Sequence, residues 1–383
     1  MSNWEEKRLG KVAPFKYGKA MTADKRIFGD FNVFSSAGIC GKSKMYLAKH
    51  GIIIGRKGSV GTVYYSDSPF FCIDTAFYID EIDPQCSMKF LYYYMKLLHL
   101  ENYNNDAAVP GLNRNLAEKL KISCPDLPTQ NRIADILSTY DDLIEANNRR
   151  IELLEQAAQE LYKEWFVRFR FPGHEKAKFE NGLPEGWTIK RIGDLFTITS
   201  SKRVYLADYV ENGIPFYRSK EIIQLSQGQT ITEPLYISHD AFENFKNKFG
   251  VPEKNDILIT SVGTVGISYL VDGHEFYFKD GNLTWIKSGS DKTLSFFLFQ
   301  WLNSQGGKQR MLQSTIGTSQ SALTIENLKK IKLIIPNREL VESYYSKIYA
   351  MTEKKRILQL NNQNLAAQRD LLLPRLMSGK LEV

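Results

Sequence analysis

The sequence predicts an α+β protein with two mixed α/β globules, separated by two long antiparallel coiled-coil helices and related by an internal pseudo-two-fold repeat. Three observations predict this fold. A long apolar seam lies in the middle of the chain, and a looser seam lies near its end. Short motifs of the first third also recur, in the same order, before the second seam. Seams with steps of three and four residues are typical of helices that pack on other helices.

The central seam lies between residues 129 and 166, and its steps alternate between four and three residues throughout. Its members are Ile133, Leu137, Tyr140, Ile144, Asn147, Ile151, Leu154, Ala158, Leu161 and Trp165. Neither glycine nor proline interrupts the stretch. At a rise of about 1.5 Å per residue, this helix is expected to be roughly 55–60 Å long. So narrow an apolar stripe on so long a helix predicts a partner helix.

The second helical segment, residues 339–373, is expected to supply that partner. Its apolar seam positions are Val341, Tyr345, Ile348, Met351, Leu358, Leu365, Leu372 and Leu376, and polar residues interrupt the seam at Lys355, Asn362 and Arg369. Pro374 is expected to end or kink the helix. Asn147 and Asn362 are polar seam residues of the kind that fix the register of paired helices. The alternative is two independent amphipathic helices, each covering its own globule.

Four motifs of the first third recur in the second half. WEEKRLG (4–10) returns as WTIKRIG (187–193), GIIIGRKGSVG (51–61) as DILITSVGTVG (256–266), FCID (71–74) as FKD (278–280), and LAEKLKISCP (116–125) as LKKIKLIIP (328–336). A repeat of about half the chain indicates a duplicated globule, followed each time by a long helix. The predicted boundaries are a first globule over 1–127, a helix over 128–170, a linker over 171–186, a second globule over 187–337, a helix over 338–378 and a tail over 379–383.

Within the globules, runs rich in β-branched and aromatic residues predict strands at 51–54, 62–65, 76–79, 257–259, 267–271 and 283–286. Short helices are predicted at 88–98 and 294–304, and the glycine- and proline-rich stretch 171–186 predicts the linker.

Composition excludes several classes of protein. A length of 383 residues predicts two or three domains, and 43% hydrophobic residues suffice for real cores. No apolar run approaches the roughly 20 residues needed to cross a membrane, and the N-terminus lacks a signal-peptide core, so we expect a cytoplasmic protein. The four cysteines form no CxxC pair, which favours neither zinc nor disulfides. A net charge of +7 permits nucleic-acid binding without establishing it.

Motifs of catalysis are missing from the sequence. It contains no GxxxxGK[ST] loop, no GxGxxG between a strand and a helix, no HExxH and no Asn/Asp-Pro-Pro-aromatic tetrapeptide. The five histidines are isolated, and the matching Asp74 and Asp280 are interpreted as turn or structural carboxylates. We therefore expect a binding protein with no catalytic residues, no metal site and no cofactor of its own.

Candidate DNA contacts are basic, hydroxyl and amide side chains in the loops, because such groups suit phosphate oxygens and base edges. In the first copy they are Lys16, Lys19, Lys42, Lys44, Arg56, Lys57, Ser59, Asn113 and Arg114. In the second copy they are Ser201, Lys202, Arg203, Arg218, Lys220, Thr260, Ser261, Thr264, Ser319 and Gln320. The alternative for 56–59 and 260–264 is a tight turn inside the fold, and any one charge run can be a solvated face.

The order of these parts resembles that of the DNA-specificity (S) subunit of type I restriction–modification systems. The motifs that carry the resemblance are GIIIGRKGSVG (51–61), DILI (256–259), LYKEWF (161–166), LPEGW (183–187) and LLLPRLMSG (371–379). The resemblance implies that each globule is a target-recognition domain and that the helices are a spacer and a docking surface. It also implies a non-catalytic chain, with two methyltransferase (modification) subunits bringing S-adenosylmethionine and two motor-nuclease (restriction) subunits bringing ATP and Mg²⁺.

Two globules that differ in sequence predict a bipartite, asymmetric DNA target, with half-site centres roughly one helical turn apart. For Trp165 and Phe166, docking of a partner and packing at the junction of helix and globule are both open. Two other classes of protein also stay open: a fused restriction or methylation enzyme, and a coiled-coil scaffold with two protein-binding globules.

Overall fold

In the computed structural model, which describes residues 4–103, 111–317 and 321–383, the chain divides into two units. The first unit consists of residues 1–145 and 364–383, and the second consists of residues 146–363. Each unit thus holds one copy of the duplicated globule and a part of each long helix.

The first globule is built from two sheets and a separate strand pair. Its elements are β1 (Glu5–Arg8), α1 (Leu9–Val12), β2 (Lys16–Tyr17), β3 (Phe31–Ser35), β4 (Gly38–Ser43), β5 (Gly51–Gly55), β6 (Val63–Ser66), β7 (Phe70–Cys72), β8 (Ala76–Ile79), α2 (Met88–Lys96), α3 (Arg114–Lys119) and β9 (Lys121–Cys124). The strand orders are β2-β8-β5-β6 and β4-β3-β7, and β1 pairs with β9. Strand β5 is buried along its whole length because apolar residues fill it and strands flank it on both sides.

The first long helix, α4 (Leu127–Tyr162), carries the predicted seam. All ten seam positions are buried or half-buried, whereas charged residues on its other faces, such as Glu145, Arg149 and Glu152, are exposed. After Tyr162 the helix widens into a π-turn over Lys163–Val167. It then ends because Phe169 adopts a positive φ of 56°, short of the predicted limit at residue 170.

The second globule repeats the first, with additional helices. Its elements are β10 (Phe179–Glu180), β11 (Leu183–Pro184), β12 (Thr188–Arg191), α5 (Ile192–Leu195), β13 (Thr197–Thr199), β14 (Tyr209–Val210), β15 (Ile214–Tyr217), α6 (Ser219–Ser226), β16 (Leu235–Ile237), α7 (His239–Phe249), β17 (Ile257–Thr260), β18 (Ser268–Leu270), β19 (Tyr277–Phe278), β20 (Leu283–Lys287), α8 (Lys292–Asn303), α9 (Gln305–Gln313), α10 (Ile325–Lys330) and β21 (Lys332–Ile335). The predicted linker contains the hairpin β10–β11, which turns at Asn181 and Gly182, both with positive φ.

The two copies share their topology. The order β13-β20-β17-β18 reproduces β2-β8-β5-β6, and the pair β12–β21 reproduces β1–β9. Strands β15 and β19 pair in parallel, as β3 and β7 do. The repeated WxxxRxG motif also has a physical reason, because a Cβ at Gly10 would overlap Glu118 and a Cβ at Gly193 would overlap Lys329. The predicted duplication is therefore confirmed.

The second long helix, α11 (Arg338–Met377), pairs with α4 in the second unit. Asn147 Nδ2 donates a hydrogen bond to Asn362 Oδ1 (2.9 Å), and Lys355 Nζ lies 2.6 Å from Glu155 Oε1. Residue numbers rise along α4 while they fall along α11, so the two helices are antiparallel here. The predicted pairing is confirmed, and two of the polar residues that interrupt the second seam, Lys355 and Asn362, have a partner on α4.

In the first unit, the end of α11 packs against the start of α4. Leu376 shares a core with Ile133 and Leu137, and the Arg369 guanidinium forms an ion pair with Asp141. The predicted end or kink at Pro374 did not stop the helix, which runs on to Met377. The proline side chain is exposed, and the buried Leu376 follows it on the apolar face.

Candidate nucleic-acid interface

The exposed Tyr17 ring on β2 carries two arginine side chains in the first globule. The guanidinium carbons of Arg56 and Arg114 lie 5.0 and 5.7 Å from the centre of the ring. Arg56 Nη1 also donates to the carbonyl oxygen of Asp74 (3.3 Å), and Arg114 Nε donates to Glu118 Oε1 (2.8 Å). Stacking and hydrogen bonds hold both cations in place, while further N–H groups stay available for a phosphate or a base edge.

Exposed lysines and a serine lie on two other parts of the first globule. Lys42 and Lys44 lie on β4 and just after it, and Lys44 Nζ lies 5.3 Å from the centre of the Phe28 ring. Lys57 and Ser59 lie in the turn after β5, and Lys19 is exposed as well. These five side chains are exposed and can be reached by a ligand. Their contacts to DNA stay predictions.

Two predicted contact residues of the first globule form bonds within the fold. Lys16 Nζ lies 2.7 Å from Asp80 and 3.2 Å from Glu81, and its hydrogen bond to Asp80 raises the pKa of the lysine. The Asn113 side chain caps α3 by accepting a hydrogen bond from the Leu116 backbone N–H (3.2 Å). Both side chains form bonds within the fold, and their predicted contacts to DNA stay predictions.

At the turn after β17, two of the predicted contact residues are buried. Thr260, the last residue of β17, and Ser261, which follows it, are both buried in the globule. Thr260 Oγ1 accepts a hydrogen bond from the Ile267 backbone N–H (3.0 Å), and Ser261 Oγ lies 2.6 Å from Thr284 Oγ1. These hydroxyls stabilise the turn and are not available to DNA. Thr264, at the tip of the same turn, is exposed.

In the second globule, the half-buried Arg218 and Ser201 also form hydrogen bonds within the fold. Burial alone would raise the pKa of Glu221, but hydrogen bonds from the side chain and the backbone N–H of Arg218 outweigh it and hold that pKa low. Ser201 Oγ donates to the Phe278 carbonyl oxygen (2.7 Å). The DNA contacts predicted for Arg218 and Ser201 stay predictions, for side chains that already form bonds within the fold. Lys202, Arg203 and Lys220 are exposed, and Ser319 and Gln320 lie outside the described residues.

Exposed apolar residues beside basic pairs were missed by the search for polar loops. Ile27 and Phe28 follow Lys25-Arg26, and Tyr205 and Leu206 come shortly after Lys202-Arg203. The signal was present in the sequence as two short segments, KRIF and KRVYL, at equivalent places in the two copies. The apolar residues of these segments were not predicted as contact sites, because the predicted contacts were basic, hydroxyl and amide side chains.

Trp165 and Phe166 lie inside the second unit rather than on its surface. Both are buried, and the Phe166 ring lies 4.8 Å from that of Tyr344 and 5.0 Å from that of Phe297. Of the two alternatives for these residues, packing at the junction of helix and globule is the one that the structure shows. They are not available as a docking surface.

Metal-binding clusters and membrane spans are absent from the part of the chain that the structure describes. It holds no group of three or more His, Cys, Asp or Glu side chains arranged to bind a metal ion. Within the same residues, no helix is both long enough and apolar enough to cross a membrane. The four cysteines are free thiols.

Comparisons with known proteins agree with this architecture. The family model described as type I restriction modification DNA specificity domain matches residues 1–156 and 184–359. The MjaIX specificity subunit of a type I restriction enzyme from Methanocaldococcus jannaschii is 29% identical over 310 residues, covering 77% of this chain and 69% of that protein. The MjaVIII specificity subunit of the same organism is 23% identical, and the match covers 100% of this chain and 93% of that protein.

A solved structure shows the same fold. The type I restriction–modification S subunit from M. genitalium matches with a TM-score of 0.60 at 18% identity, covering 98% of this chain and 96% of that one. Because the identity is low, this likeness supports the fold and not the residues that contact a ligand.

Proposed function

Because the chain belongs to the family of type I restriction–modification DNA specificity proteins, we propose that each of its globules reads one half of a bipartite DNA target. The chain is a specificity subunit, which is a non-catalytic part of such a system. The observation that carries the proposal is the duplication, since the family model matches both copies and the two globules share one topology. The exposed side chains differ between the copies, so the two half-sites are expected to differ in sequence.

The first globule supports contact with DNA through its charge. Between residues 16 and 50 there are seven Lys or Arg residues and two Asp residues. Arg56 and Arg114 add two oriented guanidinium groups beside Tyr17. Basic groups at such density attract the phosphate backbone, and oriented guanidinium groups can bind the O6 and N7 atoms of guanine in the major groove.

Partner subunits are proposed to dock on the outer faces of the two helices. In the second unit, Leu153 on α4 and Ile357 and Leu360 on α11 are exposed, and in the first unit Leu143 and Leu371 are exposed. Apolar side chains on the outer face of a paired helix are typical of a surface that a partner covers. We assign methyltransferase subunits, and with them the motor-nuclease subunits, to these faces.

The reactive cofactors are proposed to reside on those partners. S-adenosylmethionine, ATP and Mg²⁺ would be supplied by the modification and restriction subunits, two of each. The proposal is supported by the sequence, which lacks both the phosphate-binding loop of ATPases and the tetrapeptide of amino-methyltransferases.

Methylome sequencing tests the bipartite target. The chain is expressed with its cognate methyltransferase subunit in a strain without adenine methylation. We expect methylated adenines in an asymmetric motif with a gap of unspecified bases. An ungapped palindrome assigned to this system would contradict the proposal. A chain that does not bind DNA in a salt-dependent way would instead favour the protein scaffold, because phosphate contacts release counterions.

Substitution of the outer helix faces tests the docking surface. Leu153→Asp combined with Ile357→Asp is expected to abolish co-purification of the methyltransferase subunit. The neighbouring exposed glutamate supplies a matched control, Glu152→Ala, which is expected to leave co-purification intact. Equal recovery of the partner with both variants would remove the docking assignment.

A further inference from the structure

Each globule exposes an apolar segment in the connection that follows β2 in the first copy and its counterpart β13 in the second. The first tip, residues 25–28, lies between β2 and β3 at the end of a single-turn 3-10 helix over Ala23–Arg26. The second tip, residues 202–206, lies between β13 and β14 at the start of a 3-10 helix over Leu206–Asp208. Both tips begin with a Lys–Arg pair and continue into apolar residues.

The apolar residues of the tips are exposed to an unusual degree. Leu206 is 84% exposed, Ile27 77%, Phe28 76% and Tyr205 65%. Among the large apolar side chains that the structure describes, only Leu371, at 72%, falls in the same range. Exposed apolar side chains rimmed by charge mark interaction sites. Their recurrence in two copies of divergent sequence indicates that the tips share a function.

The first tip is held in place without being buried. A side chain at Gly29 would overlap the backbone at Ser43, and one at Gly41 would overlap the carbonyl oxygen of Arg26. The loop therefore lies directly against the hairpin β3–β4. Arg26 Nη1 adds a contact to Cys40 Sγ (3.3 Å). Ile27 and Phe28 thus project from a fixed support, which limits the entropy lost on binding.

The second tip is anchored by different contacts, and its apolar residues are also left exposed. Val204 is buried in the globule, and the Lys202 backbone N–H donates to Tyr277 Oη (2.9 Å). The Tyr205 backbone N–H donates to Asp208 Oδ2 (2.8 Å), which caps the short helix that starts at Leu206. Anchors on both sides leave Tyr205 and Leu206 outside the globule.

We propose that the two tips are wedges that insert apolar side chains, led by Phe28 in one globule and Leu206 in the other, between stacked bases of the bound DNA. This inference rests on the proposed function. Phe, Leu and Ile are the side chains that other DNA-bending proteins use to unstack a base step and kink the duplex. The adjacent Lys–Arg pairs, Lys25-Arg26 and Lys202-Arg203, bring positive charge beside the tips, which would neutralise phosphates that flank the opened step. Arg203 Nε also lies 3.6 Å from Asp280 Oδ2 in the free protein.

Charge favours DNA over a protein partner as the occupant. The first tip lies in the strongly basic stretch between residues 16 and 50, and Lys44 Nζ lies above the Phe28 ring itself. An apolar protein surface would leave these lysines without counter-charges, whereas a duplex supplies phosphates on both sides of an opened step. The recurrence of the tips also matches a target with two half-sites.

The test compares single substitutions with matched controls in the full chain, assembled with its methyltransferase subunits. Phe28→Ala is paired with Phe179→Ala, and Leu206→Ala with Leu312→Ala, since both control residues are exposed and lie outside the tips. The probe is the duplex that the wild-type complex selects from a random-sequence library. Affinity is measured by fluorescence anisotropy, bending by energy transfer between the duplex ends, and unstacking by 2-aminopurine fluorescence.

We expect each tip substitution to weaken binding about 10-fold, to reduce the bend and to lower the 2-aminopurine signal at one base step. The controls are expected to behave as wild type, and circular dichroism is expected to show unchanged folding for all four variants. Tip variants that bind and bend DNA as wild type does would overturn the inference while leaving the proposed function intact. A wild-type complex that binds no DNA would overturn both.

Two other results would also overturn the inference. If replacing thymine by uracil reproduces the loss of affinity without changing the bend, the tips contact thymine methyl groups in a groove and do not insert. If the tip variants bind DNA normally but no longer retain the methyltransferase subunit, the tips are protein-docking elements.

Discussion

The turn after β5 in the first globule and the turn after β17 in the second share a backbone but not a chemistry. The Gly55 N–H donates to the Thr62 carbonyl oxygen (2.8 Å), and the Thr260 N–H donates to that of Ile267 (2.9 Å). At the next position, however, Arg56 stacks on Tyr17 at the surface, whereas Ser261 is buried. The backbone of this turn therefore belongs to the framework of the fold, whereas its side chains determine separately in each copy whether a cation faces outward.

The helix contacts of the two units differ in a similar way. The first unit joins α4 and α11 through aliphatic residues such as Leu137 and Leu376, with the Asp141–Arg369 ion pair beside them. The second unit uses an aromatic cluster that includes Phe166 and Tyr344. The pairing of α4 and α11 is thus stabilised by different side chains in the two units. A substitution in the helix contacts of one unit can therefore be compared with one in the other.

Removal of the Phe166 ring is expected to have the largest effect on stability. Phe166→Ala should destabilise the second unit by about 4 kcal/mol, because it leaves a cavity among buried rings, and Leu137→Ala should destabilise the first by about 3 kcal/mol. Urea unfolding measures both effects. A cost below about 1 kcal/mol for Phe166→Ala would place that ring outside the core, in conflict with its burial.

Tyr344 supplies a control in the same cluster. Its hydroxyl group is buried and has no hydrogen-bond partner among the described residues. Tyr344→Phe removes only that group, so it is expected to leave stability unchanged or to raise it by about 1 kcal/mol. Strong destabilisation by Tyr344→Phe would show that the hydroxyl group is satisfied.

The polar contacts between the helices are expected to rank next. Asp141 binds Arg369 and also accepts a hydrogen bond from Tyr93 Oη (2.5 Å), and burial, followed by this bond, raises the pKa of the tyrosine. Asp141→Ala leaves the mostly buried Arg369 with Asp370 as its remaining carboxylate partner and removes the acceptor of Tyr93 Oη, and we expect a loss of about 2 kcal/mol. Glu155→Ala breaks the more exposed pair with Lys355 and is expected to cost less than about 1 kcal/mol. Urea unfolding of both variants checks the ranking, which equal losses would contradict.

The spacing of apolar residues predicted the long helices well, because the apolar positions of a paired helix are the positions that become buried. The predicted seam on α4 is buried or half-buried at every position, and the polar interruptions Lys355, Asn362 and Arg369 each face a polar partner. The partner of Asn362 is Asn147, a polar residue on the first seam, whereas the partners of Lys355 and Arg369 were not predictable, because Glu155 and Asp141 lie beside the seam rather than on it. The side on which a turn places a side chain, as at Ser261, also depends on tertiary packing that a local pattern does not contain.

Acid is expected to weaken the second unit through Glu221. Its pKa is lowered in the fold, so the carboxylate contributes stability that is complete above the ordinary glutamate pKa and is lost as the pH falls below it. Glu221→Gln removes the charge from the hydrogen bonds with Arg218, and we expect a cost of about 1.5 kcal/mol at neutral pH. Urea unfolding as a function of pH should show a smaller acid-induced loss for the variant. Parallel curves would exclude this carboxylate as a contributor.

The two turns make opposite predictions for DNA binding and for stability. Arg56→Ala should weaken DNA binding about fivefold, close to 1 kcal/mol, and lower the slope of affinity against salt by about one if the guanidinium binds a phosphate. Its folding stability should change little, because the side chain is half-exposed. The counterpart Ser261→Ala should leave DNA affinity unchanged and destabilise the fold by about 1 kcal/mol, because Thr284 loses its buried partner.

Affinity titrations at several salt concentrations, together with urea unfolding, measure both quantities for both variants. If Ser261→Ala weakens DNA binding at unchanged stability, the turn reads DNA in both globules, and the assignment of its backbone to the framework is wrong. If Arg56→Ala lowers stability and leaves the salt slope unchanged, the stack on Tyr17 serves only the fold. The crossed outcome, with affinity lost in one copy and stability in the other, is expected because the same backbone presents a cation to solvent in one globule and a hydroxyl to the core in the other.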